Sequence, residues 1–369
     1  MKRLFKYTLP ALIACPMMLV ACSDWTETES ITLRYPSVEE QNPELYARYL
    51  QSLNDFKAGE HSIVMVSTNN LSTAPTNQSQ HLNALPDSID YVCLNNILDV
   101  TPMHITEMDE VRKKGIKVMG LIDFDAIENA WEAILTKEAE DAANAEIPEE
   151  GNQPKDEDEG EGAEEGPTVI NTRRFIEYCS TETTRRIEAI NTLGADGIVM
   201  NYTGSDLNSL LQDEEQTATE TARQGAFFRL LADWKATHTD KELVFKGNPQ
   251  NVIDQTLLVE SRYIIINAHS AKNLSEMSYL TLMASVRNVP TDRFIIGVTT
   301  PYISNMGDQY GLVDGASAII AAARWTLQTS ANYTKAGISI DGVEQDYFNP
   351  AQIYPNVREA INILSPTVK

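Results

Sequence analysis

Six short polar side chains share one setting: Asn69, Asn95, Asp123, Asn201, Asn248 and Asn267 each lie at or just beyond the end of an apolar, β-branched run. Tyr302 holds the same position after a further run, and His269 follows Asn267 by two residues. Carboxamides donate and accept alike, so this set suits a neutral, hydroxyl-rich ligand. The densest part is Gly194-Ala195-Asp196-Gly197-Ile198-Val199-Met200-Asn201-Tyr202-Thr203-Gly204. Alternate residues of a strand share a face, which sets Val199, Asn201 and Thr203 together. Asn201 can hydrogen-bond an amide, and Tyr202 beside it is a further candidate contact. Proton transfer to a leaving group needs a pKa near the working pH, which a threonine hydroxyl cannot approach. Each candidate also has a packing role open to it. Asn201 can satisfy backbone groups, His269 can pack structurally, and Tyr202 can face a helix.

Metal and redox chemistry find little support. Five histidines form no His-x-x-x-His pair, and the cysteines lack zinc-type spacing. Cys93 lies in a strand-like run and Cys179 in a helix-like one, so both read as buried free thiols. No metal and no cofactor is expected. A net charge of −24 argues against a nucleic-acid partner, whose phosphates need a basic face. Half of that charge is local, because residues 138–166 hold thirteen acids against the single Lys155.

Eight runs position the candidates: Ser62–Ser67, Ser88–Asn95, Ile116–Phe124, Gly197–Tyr202, Leu243–Lys246, Tyr263–Asn267, Phe294–Thr299 and Gly337–Ile340. Several, such as Ile63-Val64-Met65-Val66, are apolar on both faces, as strands of a helix-covered parallel sheet must be. Amphipathic helical stretches follow them, for example Thr172–Leu193 and Gln224–Thr237. Eight alternations in about 300 residues predict a (β/α)8 TIM barrel over 42–369, with its site at the strands' C-terminal ends. A doubly wound open sheet is the alternative, though no Gly-x-Gly-x-x-Gly follows the first strand. Between the third and fourth strands, 138–167 forms an acidic insertion too poor in large apolars to offset the entropy of ordering it. It is expected to be disordered and solvated. Calcium binding by Asp156-Glu157-Asp158-Glu159 is the lesser alternative, since no glycine-turned ligand loop is present. Trp131 and Trp325 sit in helical runs and read as core.

The N-terminus adds a location. Lys2, Arg3 and Lys6 precede the apolar run Leu9–Val20, too short to span a bilayer of about 30 Å. Leu19-Val20-Ala21-Cys22 resembles the bacterial lipobox. This predicts a signal peptide over 1–21, lipidation at Cys22 and a polar tether over 22–41. The acyl chains would then hold the protein on a membrane.

The segment around Asp196 resembles the fourth strand of glycoside hydrolase family 18, the chitinases and endo-β-N-acetylglucosaminidases, whose motif is Asp-Gly-x-Asp-x-Asp-x-Glu. Asp196 and Gly197 match its start, whereas Val199, Asn201 and Thr203 replace the second Asp, the third Asp and the Glu. In that family the Glu is the general acid and the neighbouring Asp orients the N-acetyl group that acts as nucleophile. The stretches Lys113–Gly120 and Ala336–Ile363 are similar to the family's third strand and its last strand and helix. The sixth strand departs from it, with Asn267-Ala268-His269 where active members carry a Tyr. The resemblance implies a non-catalytic glycan-binding lipoprotein with no catalytic residue, binding oligosaccharides that contain N-acetylglucosamine. It also implies an outer-membrane, cell-surface location in a Gram-negative bacterium, beside a glycan transporter complex. An active endo-β-N-acetylglucosaminidase using Asp206 or Glu344 remains the alternative, and a structural lipoprotein with a filled barrel the third.

Overall fold

The computed structural model describes residues 37–145, 167–210, 213–301 and 310–366. The chain divides into a unit of residues 1–49 and one of residues 50–369. The described part of the first holds the short helix Val38–Gln41 and the start of α1 (Pro43–Ala58), which runs on into the second.

The described part of residues 50–369 forms a closed barrel. Its strands are β1 (Ile63–Thr68), β2 (Tyr91–Leu94), β3 (Lys117–Asp123), β4 (Gly197–Tyr202), β5 (Glu242–Gly247), β6 (Tyr263–Asn267), β7 (Phe294–Thr299) and β8 (Lys335–Asp341). They close in the order β1-β8-β7-β6-β5-β4-β3-β2, every neighbour parallel. This is the expected (β/α)8 architecture, and the open sheet is excluded. Strand parity sorts the residues. Met65, Cys93, Met119, Val199, Val244, Ile265 and Ile295 fill the lumen. Their neighbours Val66, Val92, Val118, Ile198, Phe245, Ile264 and Ile296 pack outward against the helical layer. Both faces are therefore dry, and each such side chain gains about 1.5–3 kcal/mol from burial.

The helical layer comprises α2 (Pro102–Lys113), α3 (Phe124–Ala145), α4 (Pro167–Leu193), α5 (Glu214–Thr237), α6 (Leu274–Ala284), α7 (Ala318–Thr326) and α8 (Pro355–Leu364). Polar caps start them: Asp213 accepts from the Glu215 and Gln216 amides, and Asn273 from that of Glu276. Not every strand is followed by a full helix, as the alternation had predicted. After β1 come two 3-10 turns, Gln78–Gln80 and Leu82–Ala84, because this Asn-, Ser- and Pro-rich stretch offers no helical apolar stripe. After β5 the chain makes only the 3-10 turn Pro249–Asn251 and the short helix Thr256–Glu260.

Trp131 and Trp325 are buried, the latter donating to Ser278 Oγ at 2.9 Å, as core residues should. Cys93 and Cys179 are buried free thiols, pushed by burial up to about 12 and about 11. Most of the acidic insertion, residues 146–166, lies outside the described residues, as do the signal, the lipobox cysteine and most of the tether.

Candidate functional site at the barrel mouth

The strands' C-terminal ends bring the polar candidates to one face. Register aligns Asp123 with Asn201 and Asn201 with Lys246 on β3, β4 and β5, and aligns Thr299 with Asp341 on β7 and β8. Two hydrogen-bonded groups result.

The first surrounds β4. Asn201 Nδ2 donates to Asp123 Oδ1 at 2.8 Å and to Asp125 Oδ2 at 3.3 Å. Asp125 Oδ1 also accepts from the Thr203 amide at 3.1 Å, and Asp123 Oδ1 from the amides of Asp125 and Ala126 at the start of α3. Burial, then the charge of Asp125, pushes the Asp123 carboxyl above the usual range, against the Asn201 and Ala126 donors. With its amide protons spent on two carboxylates, Asn201 has its oxygen left to offer a ligand, an acceptor. Asn248 and Asn251 donate to the Thr203 carbonyl at 3.2 and 2.8 Å, fixing the backbone from the other side. Thr203 itself is exposed at the rim.

The second group closes the lumen. Lys246 Nζ from β5 meets Asp341 Oδ2 from β8 at 2.5 Å, across three strand positions of the barrel. Ser67 Oγ donates to Asp341 Oδ1 at 2.8 Å. His269 Nε2 lies 2.9 Å from Asp341 Oδ2 but off the line of a ring N–H, so that contact is electrostatic. Burial opposes charge on Asp341, yet the Lys246 ammonium and His269 draw its carboxyl far below the ordinary range. Lys246 is held charged in turn, because Asp341 outweighs its burial. Beneath the pair the lumen leaves about 10 Å3, the space of about one water. Apolar side chains thus fill the lumen, and the polar pair caps them at the mouth. Asn95 carries the network outward by donating to Asn69 Oδ1 at 2.8 Å, and Asn69 Nδ2 donates to Glu344 Oε1 at 3.1 Å.

Asn69, Asn95, Asp123, Asn201 and His269 therefore gather at the mouth, as the sequence predicts. Asn248 is tied to the Thr203 backbone, and Asn267 turns its own loop by accepting from the His269 amide at 3.0 Å. Tyr202 is a correction. Its parity is opposite to Asn201, so it points out of the barrel, fully buried between Phe124 and Phe228, its hydroxyl donating to Glu220. Tyr302 lies outside the described residues. Asp196 stands at the opposite end of β4, where it accepts from Arg112 Nε and the Val118 amide, and Val199 is buried in the lumen. Lys246, Asp341, Ser67 and Asp125 are missing from the predicted set. Inward parity from Val244 and Ser339 was the signal for the first two.

Residues 26–363 match the family model described as glycoside hydrolase family 18, BT1044-like. Comparison with curated protein sequences gives no match. Among solved structures, a glutamate-to-glutamine variant of selenomethionyl BT1044 is 16% identical, with a TM-score of 0.53, over 90% of this chain and 96% of that one. The endo-β-N-acetylglucosaminidase of Cordyceps militaris is also 16% identical, with a TM-score of 0.56, over 86% of this chain and 96% of its own. A double mutant of that enzyme in complex with fucosyl-N-acetylglucosamine-Asn gives 15% and 0.54, over 86% and 95%. Identities this low carry the fold alone, but the family match spans nearly the whole barrel: the chain belongs to glycoside hydrolase family 18, in its BT1044-like group.

Proposed function

We propose that this protein is a surface lipoprotein, anchored through Cys22 in the outer membrane of a Gram-negative bacterium, that captures N-acetylglucosamine-containing glycans without cleaving them. In this reading it serves a glycan-uptake system and passes its cargo toward an outer-membrane transporter. One observation carries the non-catalytic part. The inward-facing positions of β4 and the residue after it are Val199, Asn201 and Thr203, and the carboxylates that reach the last two, Asp123 and Asp125, are committed to the Asn201 amide and to backbone N–H groups. A general acid must instead present its proton to a glycosidic oxygen. The amide-rich rim suits neutral sugar hydroxyls, and the Cordyceps militaris complex with fucosyl-N-acetylglucosamine-Asn motivates the choice of sugar.

A second reading, a hydrolase with a displaced acid, draws on the raised Asp123 carboxyl. It gains nothing from Glu344, which hydrogen-bonds Asn69 on the wall opposite β4, nor from exposed Asp206 in the loop beyond β4. Mass spectrometry of an N-glycan after long incubation separates the two. Intact glycan with calorimetric binding is expected, and Asn201→Ala should weaken that binding by about 0.5–1.5 kcal/mol, the worth of one neutral hydrogen bond. A released oligosaccharide, lost on Asp123→Asn, would establish the hydrolase.

A further inference from the structure

At the end of the barrel opposite the mouth, where the strands begin, lies a cavity of about 530 Å3. Small-molecule sites span about 300–1,000 Å3. In a chain of net charge −24 this cavity gathers cations: Lys57 near the end of α1, Lys117 opening β3, Arg262 just before β6 and Lys335 opening β8. His61 joins them from the link between α1 and β1, and Glu60 and Asp90 are the acids of the wall. Two of the positive groups are answered within the fold. Lys117 pairs with Glu242, and His61 Nε2 meets Asp90 Oδ1 at 2.8 Å. The other three rest directly on neutral groups. Lys57 Nζ donates to the Lys114 carbonyl at 2.9 Å. Lys335 Nζ donates to the Trp325 carbonyl at 2.7 Å and stands 3.9 Å from the centre of that ring. The Arg262 guanidinium lies 5.4 Å from the centre of the Tyr263 ring. Among the described residues no carboxylate forms an ion pair with any of these three.

The two lysines register the missing counter-charge. Burial alone brings Lys335 down to about 8. Burial also brings Lys57 to about 8, helped by the Lys114 charge and against the attraction of Asp90 and Asp87. Cations withdrawn from water without a partner are unfavourable, so the fold itself gives no reason to place three around one cavity. An anion supplied from outside gives one. Its shape follows from the directions of approach. Lys57, Arg262 and Lys335 arrive from three separate elements, and a tetrahedral oxyanion accepts on several sides at once, whereas a planar carboxylate presents both oxygens in one plane. Arginine forks and lysine point charges are the common partners of phosphate. We propose that this cavity binds a phosphate group, held by Arg262 at its exposed edge and by Lys335 and Lys57 deeper in. The same contacts serve free phosphate and the phosphodiester of a lipid headgroup. The inference concerns the end of the barrel away from Asn201 and does not rest on the glycan reading.

Calorimetry on the full chain at constant ionic strength tests it, with inorganic phosphate as one probe and glycerophosphoglycerol, a lipid headgroup without its acyl chains, as the other. At least one probe should bind saturably to a single class of site. Arg262→Gln and Lys335→Met should each weaken that binding about tenfold, the low end of what a hydrogen bond to a charged group is worth. Lys137→Gln, on α3 outside the cavity, should leave it unchanged. Arg262 is exposed, so Arg262→Gln should keep the native melting temperature, and methionine keeps an unbranched stem against the Trp325 ring. Tighter binding of inorganic phosphate would make free phosphate the ligand, and tighter binding of glycerophosphoglycerol a lipid headgroup. If neither probe saturates, if Arg262→Gln or Lys335→Met binds like the native chain, or if Lys137→Gln weakens binding as much, the cavity is not a phosphate site.

Discussion

Asp341 shows how much one residue can hold. It receives Lys246, Ser67 and His269 from three other strands or strand ends. Removing one partner of a buried ion pair leaves the other charge uncompensated, at a cost of about 3–5 kcal/mol, whereas replacing both with apolar groups is often neutral. Lys246→Met should therefore destabilise the protein by about that amount in urea unfolding, and adding Asp341→Leu should restore most of it. The pH dependence has a definite sign. The Asp341 carboxyl is lowered in the fold, so the stability it lends is present above its unfolded pKa of about 3.9 and is lost as pH falls through its folded value. Near neutrality Lys246→Met should lose its full increment, and the gap from the native protein should narrow only in strong acid. An equal gap at all pH values would mean that the lysine acts by packing alone.

At the scale of elements, the mouth depends on how closely β4 and β5 approach. Gly247 ends β5 at φ +119°, a conformation that side chains resist, and a Cβ there would stand 2.1 Å from the Tyr202 carbonyl. The same carbonyl accepts from the Asn248 amide at 3.0 Å. Gly247→Ala should therefore cost roughly 1–3 kcal/mol from backbone strain, before the clash is counted. It should also impair glycan binding by displacing Thr203 and Asn201. A variant with native melting temperature and affinity would show that the strands can part without loss. The strands themselves were legible because each is a short run apolar on both faces, and the barrel followed from their number. The β1–β2 connection was misread because strand–helix alternation was extended over a segment with no helical period. Tyr202 was misplaced beside Asn201, although adjacent residues of one strand cannot share a face. Parity turns Lys246 and Asp341 inward, but their pairing was not legible. The two are 95 residues apart and meet across the lumen, a pairing that only barrel closure creates.

For the molecule as a whole, half of its net negative charge lies in residues 138–166, outside the barrel's strands, so the mouth is set by local chemistry more than by the overall field. Among the described residues no helix is long and apolar enough to cross a membrane. Membrane attachment, in the reading proposed here, falls to Cys22. Cys22→Ala should abolish labelling by a radioactive fatty acid and move the protein out of membrane fractions, or leave it unprocessed. Undiminished labelling would refute the anchor while leaving the barrel and its sugar site untouched, because the two occupy different parts of the chain.

The braced mouth has a consequence for the capture-and-transfer role proposed above. Asn201, Asp123, Asp125, Lys246 and Asp341 already hold one another before any ligand arrives, so loading has little left to order or to move. Such a mouth gives occupancy no shape by which it can be announced. If the protein delivers a glycan as proposed above, a receiving partner would have to sense the glycan itself, through the sugars that project beyond the rim.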